Sequence, residues 1–315
     1  MTRRIRVGTR GSALARAQTE WVIARLQQVH CDLPVETRII KTLADRVQDV
    51  PLHGFRERGV FVKEIEKALL DGEIDLAVHS MKDLPSDLPA GLVIGAVPPR
   101  EEALDVLVVR DAAGSGASGP LPLPPGAVVG TSSLRRRAQL LHHRRDLRTV
   151  DLRGNVETRL RKLDAGEMDA IVLAAAGLNR LGLAERITCR LPEALVLPAV
   201  CQGALAIQCR ADDAWLLERL AVLEDPATRL CVRAERALLA AMGGGCAVPI
   251  GALARVKADC LTLSGVVATP DGDCLHRDAA TGSPDDPEEL GRRLGERLLA
   301  AGGRQILDSM RLPHG

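Results

Sequence analysis

Apolar and polar positions along the first 80 residues alternate in blocks that predict strands and helices in turn. A short apolar strand at residues 4–8 precedes a helix from about residue 14 to residue 29. The same order returns as a strand at 35–40, a helix at 60–70 and a nearly continuous apolar strand at 74–80. Such alternation predicts a mostly parallel sheet with helices packed on it. A continuous apolar strand is typical of one that is buried on both faces.

The pattern restarts after a Gly/Pro/Ser loop at residues 112–126, which we expect to hold no regular element. The strands AVVG, RTVDLRG and MDAIVLAAAG are separated by two arginine-rich helices, which predicts a second α/β unit. A buried strand at 204–209 and two helices at 213–223 and 226–242 follow. The last ninety residues change to alternating strands around the turn PDGD and a helix at 286–301, which predicts a small α+β domain.

Composition excludes several classes of protein. A net charge of +1 and only four aromatic residues (Trp21, Trp215, Phe55 and Phe61) argue against a nucleic-acid partner. No apolar run approaches the roughly 20 residues of a membrane span, so no membrane partner is expected. The eight cysteines show no C-x-x-C pair and no zinc-type spacing with histidine, which predicts neither a disulfide framework nor a metal site. A reducing, cytoplasmic location fits this pattern best.

The segment GTSSLRRR at residues 130–137 begins where a predicted strand ends. Its hydroxyl residues stand at a helix N-terminus, whose backbone N–H groups favour an anion, and the arginines behind them add positive charge. The alternative is ordinary N-capping with arginines on a solvated helix face. Further arginines stand near other strand ends, and all of them can line one pocket. The candidate anion-binding residues are Thr131, Ser132, Ser133, Arg135, Arg136, Arg153, Arg159 and Arg180.

The segment HSMKDLP places Lys82 and Asp83 next to each other at the end of an apolar strand. A carboxylate there can stabilise developing positive charge or move a proton. The alternative is a surface Lys and Asp that open a turn before Pro85. His79 is expected to be a buried polar residue with its hydrogen bonds satisfied, because no second His or Cys stands at metal-ligand spacing.

The loop GGGCAVPIG places one thiol, Cys246, behind three glycines, so the backbone leaves the sulfur open to approach. The alternative is a buried cysteine in a tight glycine turn. No His/Asn arrangement of the cysteine-protease type accompanies it, so hydrolysis with Cys246 as nucleophile is unsupported.

Taken together, these segments closely resemble the porphobilinogen deaminase family, also called hydroxymethylbilane synthases. The match runs from about Ile5 to the C-terminus. The segments that carry it, in order, are RGSALARAQ, FVKEIEKALLDGEIDLAVHSMKDLP, GTSSLRRRAQL, LRGNVETRLRKLDAGEMDAIVLAAAGLNRLGL, QGALAIQCR and GGGCAVPIG.

The resemblance implies two α/β domains of the type II periplasmic-binding-protein kind around a cleft, plus a small α+β domain. Domain 1 would be residues 1–99 with 199–220, domain 2 would be 100–198, and domain 3, with the cofactor-bearing loop, would be 221–315. The implied enzyme is a monomeric cytoplasmic transferase of tetrapyrrole biosynthesis. It joins four porphobilinogen units head to tail into hydroxymethylbilane and releases ammonia at each condensation.

The resemblance also implies roles for single residues. A covalent dipyrromethane primer would be held by a thioether to Cys246, and Asp83 would be the catalytic carboxylate that stabilises cationic intermediates. Each porphobilinogen carries an acetate and a propionate, so positive side chains would bind the growing chain. The implied cofactor- and substrate-binding residues are Arg10, Ser12, Gln18, Phe61, Lys82, Thr131, Ser132, Ser133, Arg135, Arg136, Arg153, Arg159 and Arg180.

Two departures from the family pattern stand out. Cys201 replaces a usual glycine in the segment PAVCQG, where the chain crosses back to domain 1, and we do not expect it to hold cofactor. The loop HGFRERG before FVKE has Arg58 where the family usually has a lysine, with Arg56 in addition. The rival hypothesis from another class is a non-catalytic two-domain clamp that binds anions. Such a clamp has no reason to combine Lys82 and Asp83 with Cys246.

Overall fold

The computed structural model describes residues 3–42, 62–85, 87–110, 121–243 and 248–311. The chain divides into two compact units, residues 1–101 with 204–229 and residues 102–203 with 230–315. The division into three domains stays a prediction.

The strands are, in chain order, β1 Ile5–Thr9, β2 Val35–Ile39, β3 Leu76–Ser80, β4 Leu92–Ala96, β5 Asp105–Val109, β6 Val128–Gly130, β7 Arg148–Val150, β8 Ala170–Ala174, β9 Cys189–Arg190, β10 Leu205–Arg210, β11 Ile250–Lys257, β12 Cys260–Ala268 and β13 Leu275–Gly282. The α-helices are α1 Ala13–Val29, α2 Lys63–Leu70, α3 Leu134–His143, α4 Val156–Asp164, α5 Ala175–Arg180, α6 Ala214–Leu220, α7 Pro226–Ala241, α8 Pro287–Leu298 and α9 Arg304–Arg311.

The first unit is built on a five-stranded sheet in the order β2-β1-β3-β10-β4. Strand β1 is parallel to β2 and β3, whereas β10 is antiparallel to both of its neighbours. One apolar cluster joins Val7 of the sheet to Val22 of α1 and Leu216 of α6. A second cluster joins Ala77 of the sheet to Ile65 of α2. Apolar packing on two sides explains why the central strands are apolar throughout.

The second unit contains a sheet with the corresponding order, β7-β6-β8-β5-β9. Again one strand, β5, is inserted antiparallel to its neighbours, while β6 is parallel to β7 and β8. The same unit holds the antiparallel sheet β11-β12-β13. Gly265 of β12 lies against Leu298 of α8 and Leu238 of α7, where a Cβ atom would clash.

These sheets confirm the predicted α/β class with an additional small α+β part. Three strands, β4, β5 and β9, are absent from the prediction. The helix predicted for 286–301 ends at Leu298 and continues into the π-helical turn Leu299–Gly303, in which Gly302 has φ 124°. Helix α9 follows that turn and was also not predicted. Within the described ranges, no helix has the length and apolar character needed to cross a lipid bilayer.

Candidate active site

A pocket opens in the first unit where β1 and β3 end. Because these strands are parallel neighbours, their carboxyl ends share one edge of the sheet, where ligands bind in open α/β folds. Among the described residues, the polar lining is Arg10, Ser12, Gln18, His79, Ser80 and Asp83, and the apolar lining is Leu14, Ala15, Ile65 and Val78. Four residues singled out from the sequence as site residues, Arg10, Ser12, Gln18 and Asp83, are thus brought together.

The N-terminus of α1 forms one wall of this pocket. Ser12 caps the helix, and its Oγ accepts a hydrogen bond from the Ala15 N–H at 3.3 Å. Arg10 stands two residues before Ser12 and lines the same pocket, so a guanidinium and the positive end of a helix lie together. Gln18, one turn into the helix, is buried and donates from Nε2 to Ser80 Oγ at 3.0 Å. This wall is suited to a carboxylate.

Asp83 reaches the pocket through a single 3₁₀ turn, Met81–Asp83, that directly follows β3. The turn is held by Met81, which is buried and donates its N–H to the Ala204 carbonyl at 3.0 Å. Leu84 N–H closes it on the Met81 carbonyl at 3.1 Å. Lys82 is half-buried on the same turn and is not among the described residues that line the pocket.

His79 differs from its expected state. It is buried as predicted, but its Nε2 has no hydrogen-bond partner within the described residues, so the expectation of a satisfied side chain was wrong. Burial lowers the pKa of His79 to about 4, although contact with the Gln208 side chain acts in the opposite direction. The imidazole is therefore neutral at neutral pH, at the edge of the pocket that contains Asp83.

In the second unit, the hydroxyl residues after β6 hold the end of that strand. Ser133 caps α3 by accepting the Arg136 N–H at 3.4 Å, and Thr131 Oγ1 accepts the Ser133 N–H at 3.2 Å. Ser132 Oγ donates to the Leu152 carbonyl and accepts the Leu152 N–H, both at 3.0 Å. The predicted N-cap is therefore present, and the hydroxyls also join the chain after β6 to the chain after β7.

Arg135 and Arg136 are not on a solvated face, and they do not project into open space. Both are buried, and both bind the fully buried carboxylate of Asp105 at the start of β5. Arg135 Nη1 donates to Oδ2 at 2.7 Å, and Arg136 donates to Oδ1 from Nη2 at 2.7 Å and from Nε at 3.1 Å. Burial opposes ionisation of Asp105, but the two guanidinium charges outweigh it and hold its pKa well below the usual range.

Two guanidinium groups against one carboxylate leave one excess positive charge at this place. Gln202 Nε2 also donates to Asp105 Oδ1, at 2.8 Å, so the carboxylate is well bound. Sequence reasoning missed Asp105, because β5 was not predicted and an aspartate before an apolar run gives no local signal of its distant partners.

The remaining candidate arginines follow other strands of the same sheet and are half-buried. Arg153 lies shortly after β7, and Arg159 Nε on α4 donates to the Gly154 carbonyl at 2.8 Å. Arg180 ends α5 and donates from Nη2 to the Gly203 carbonyl at 2.7 Å. Since β7 and β8 are both parallel to β6, these residues and Ser133 come from segments at one edge of the sheet. Phe61, Cys246 and the HGFRERG loop lie outside the described residues.

Comparison with known proteins decides between the two hypotheses, an enzyme and a non-catalytic clamp that binds anions. Residues 5–218 match the family model "Porphobilinogen deaminase, dipyromethane cofactor binding domain", and residues 229–300 match "Porphobilinogen deaminase, C-terminal domain". The chain belongs to the porphobilinogen deaminase family.

Curated members of the porphobilinogen deaminase family match over nearly the whole chain. The porphobilinogen deaminase of Desulforudis audaxviator is 52% identical over 311 residues, with 99% of each chain covered. That of Gloeobacter violaceus is 50% identical over 312 residues, covering 98% of this chain and 94% of the relative. Among solved structures, the methionine binding protein MetQ covers 70% of this chain and 89% of its own at 15% identity and a TM-score of 0.44, a likeness too low to bear on function.

The described residues fit the dipyrromethane that the porphobilinogen deaminase family binds. A pyrrole with acidic side chains needs positive groups for its carboxylates and an acceptor for its N–H. The pocket offers Arg10 with the N-terminus of α1 for the former and the Asp83 carboxylate for the latter.

Cys201, the departure from the porphobilinogen deaminase pattern, has a backbone φ of 60°, in the left-handed region that favours glycine. Its N–H donates to Glu235 Oε2 at 2.6 Å, and its side chain is buried. The chain thus keeps at Cys201 a backbone conformation suited to glycine, and no reactive role is indicated for this thiol.

Proposed function

We propose that Asp83 is the catalytic carboxylate of this transferase and that Cys246 holds its dipyrromethane cofactor. The protein joins four porphobilinogen units head to tail into hydroxymethylbilane with release of ammonia, as a member of its family. The single observation that supports the site assignment is the pocket in which Asp83 lies with Arg10 and the capped N-terminus of α1.

Asp83 acts by its charge. When the aminomethyl C–N bond of porphobilinogen breaks, the electron pair leaves with nitrogen and positive charge spreads over the pyrrole ring and its N–H. A carboxylate fixed beside that N–H stabilises the charge as it develops, without having to reorganise at the moment of reaction. The 3₁₀ turn anchored by Met81 supports this role, because it holds Asp83 at a rigid strand end.

Positive groups bind the carboxylates of the pyrroles. In the first unit, Arg10, Ser12 and Gln18 provide a guanidinium, a helix N-terminus and an amide; Lys82 contributes charge from the neighbouring turn. In the second unit, half-buried Arg153, Arg159 and Arg180 with Ser133 serve as direct binders. We assign to Arg135 and Arg136 an electrostatic role, since Asp105 takes up part of their hydrogen-bonding capacity. Thr131 and Ser132 shape the strand end, and Phe61 is assigned to cofactor binding by its match to the family pattern.

The dipyrromethane supplies the primer from which the chain grows. The three-domain division, action as a monomer and a cytoplasmic location complete the proposal. A non-catalytic anion clamp is not favoured, because relatives about 50% identical over the whole chain are named as porphobilinogen deaminases.

The test combines product analysis with intact mass. The purified protein is expected to consume porphobilinogen, to release one ammonia per unit and to carry the mass of two pyrrole units on Cys246. Cys246→Ser is expected to have the mass of the bare chain and no turnover, whereas the matched control Cys201→Ser keeps both cofactor and activity. An active preparation whose chain has no added mass would contradict the assignment of Cys246.

A further inference from the structure

The chain crosses from the second unit to the first between Gly203 and Ala204, and a hydrogen bond lies on each side of that point. On the side of the second unit, Arg180 Nη2 donates to the Gly203 carbonyl at 2.7 Å. On the side of the first unit, the Ala204 carbonyl accepts the Met81 N–H at 3.0 Å. Met81 begins the 3₁₀ turn that ends at Asp83. A candidate carboxylate-binding arginine and the turn of the proposed catalytic residue are therefore bound to consecutive peptide groups.

Little conformational freedom separates these two peptide groups. A peptide unit is planar, so only the φ and ψ angles of Ala204 lie between the carbonyl that Arg180 binds and the carbonyl that binds Met81. Ala204 is buried, and the next residue, Leu205, already pairs with Ser80 in the antiparallel ladder of β10 and β3. A rotation of the first peptide group would therefore move the Ala204 carbonyl or break the ladder.

The second unit also holds the residue that precedes Gly203. Gln202 is fully buried, and its Nε2 donates to the Ala103 carbonyl and to Asp105 Oδ1, both at 2.8 Å. Asp105 is in turn bound by the two buried guanidinium groups described above. Gly203 itself has φ 87°, a backbone conformation that a Cβ atom would strain. Arg180 thus binds a short peptide segment whose upstream end is fixed.

In the first unit, the position of the Ala204 carbonyl determines where the Asp83 turn begins. Met81 is buried, and its N–H bond to Ala204 fixes the start of the turn. The Met81 carbonyl accepts the Leu84 N–H at 3.1 Å, which fixes the end. Displacement of a catalytic group by about 1 Å can lower a rate by about 100-fold. A small shift of the Ala204 carbonyl is therefore enough to affect turnover.

We propose that Arg180 is a positioning residue for Asp83, on which it acts through the peptide between Gly203 and Ala204, in addition to binding a pyrrole carboxylate; this proposal rests on the assignment of Asp83 as the catalytic carboxylate. An arginine carries five N–H donors in a planar fork, so one guanidinium can bind a peptide carbonyl and a ligand carboxylate together. A carboxylate bound to Arg180 restricts the motion of the guanidinium and hence of the peptide. Binding of the pyrrole chain in the second unit is in this way linked to the placement of Asp83 in the first.

A role of Arg180 in binding alone predicts a different kinetic result. If Arg180 only bound a carboxylate, its effect on kcat would be independent of Asp83, and the effects of substituting both residues would multiply. If Arg180 acts by placing the Asp83 carboxylate, its effect on kcat requires that carboxylate to be present. The effects of the two substitutions on kcat are then not multiplicative.

The decisive experiment introduces Arg180→Lys into the unmodified protein and into Asp83→Asn. Lysine keeps the positive charge but replaces the planar fork with a compact ammonium group. We expect kcat for porphobilinogen to fall about 10-fold in the unmodified protein and less than about twofold in Asp83→Asn, with the cofactor verified by intact mass. KM is expected to rise by a similar factor in both, because carboxylate binding does not require Asp83.

The matched control for the charge is Arg159→Lys. Arg159 is another half-buried candidate arginine, and its Nε donates to the Gly154 carbonyl at 2.8 Å, a contact within its own segment of the chain. Any effect of Arg159→Lys on kcat should therefore be the same with and without the Asp83 carboxylate.

A second variant, Gly203→Ala, tests the peptide without removing a charge or a donor. Because a Cβ atom strains the backbone at φ 87°, we expect kcat to fall with KM unchanged, and no further fall when Asp83→Asn is present. The control is Gly126→Ala, which introduces the same kind of strain at φ 74°, where an added Cβ meets no described atom within 4 Å. That variant should have a lower melting temperature and an unchanged kcat.

The outcomes separate this proposal from the site assignment beneath it. The proposal is overturned if Arg180→Lys lowers kcat by the same factor with and without Asp83→Asn, or if Arg180→Lys and Gly203→Ala both keep a normal kcat. Either result leaves Asp83 in its assigned role. Near-normal turnover in Asp83→Asn alone would instead remove Asp83 from the reaction, and with it the assignment on which the proposal rests.

Discussion

Asp105 binds Arg136 through two hydrogen bonds to a single oxygen, from Nη2 at 2.7 Å and from Nε at 3.1 Å, in the interior of the second unit. Its other oxygen accepts from Arg135. All three side chains are buried, so one carboxylate is shared by two guanidinium groups that have little contact with water. Loss of that carboxylate would leave two buried positive charges without a counter-charge.

Asp105→Asn is therefore expected to lower the free energy of unfolding by about 3–5 kcal/mol, measured by chemical denaturation. The matched control is Glu193→Gln, which removes the acid of an exposed pair with Arg255 at 2.7 Å. That change is expected to cost less than about 1 kcal/mol, because water already solvates both groups. Equal effects of the two substitutions would contradict a structural role for the buried cluster.

Asp83→Asn is expected to keep the fold and the cofactor but to lower kcat by about 100- to 1,000-fold, because the amide has no charge to stabilise the cationic ring. Steady-state kinetics together with intact mass provide the measurement. Asp87→Asn, an exposed aspartate four residues later, serves as the control and should retain full turnover. Asp83 loses its assigned role if its variant turns over at the control's rate.

Cys201 and Ala258 are the two non-glycine residues with positive φ in the described part of the chain, at 60° and 52°. At such positions glycine avoids a steric cost of about 1–2 kcal/mol. We therefore expect Cys201→Gly to be more stable than Cys201→Ala by about 1 kcal/mol, the reverse of the order at ordinary positions.

Ala258→Gly offers the companion measurement, because Ala258 is exposed and no packing is lost there. It should raise the melting temperature, which differential scanning calorimetry can detect. Alanine more stable than glycine at position 201 would show that the backbone at Cys201 is not left-handed.

The pKa of His79 also predicts how stability depends on pH. The unfolded chain binds a proton at His79 below about pH 6.5, whereas the folded chain does so only near pH 4, since burial lowers the pKa. Between these values protons favour the unfolded state, so stability should fall as the pH is lowered from about 6.5 to about 4. The contribution approaches about 1.4 kcal/mol per pH unit inside this window.

His79→Gln should remove this part of the pH dependence in denaturation curves recorded between pH 4.5 and 7. His142→Gln is the comparison, because His142 is half-buried and already binds the Gly272 carbonyl at 3.0 Å. If the free energy of unfolding changed with pH by the same slope in both variants, His79 would titrate normally in the folded protein.

Local patterns in the sequence determined the parts of this protein that depend on neighbouring residues. The apolar run of β3 predicted a buried strand, and the hydroxyl residues of GTSSLRRR predicted a helix N-terminus; both are present. The family resemblance implied Arg10, Ser12 and Asp83 as site residues, and they lie together because residues at the ends of parallel strands meet at one sheet edge. The long motifs in register carry by themselves the resemblance to the porphobilinogen deaminase family.

Tertiary structure alone decided which charges are neutralised and which polar atoms remain without partners. Asp105 meets its arginines across about 30 positions of chain, and Gln208 meets Glu66 across 142. Such contacts arise from the antiparallel insertion of β5 and β10 into parallel sheets, and periodicity along the chain carries no record of that pairing. For this reason the burial of Arg135 and Arg136 and the unpartnered Nε2 of His79 became visible only once the sheets were assembled.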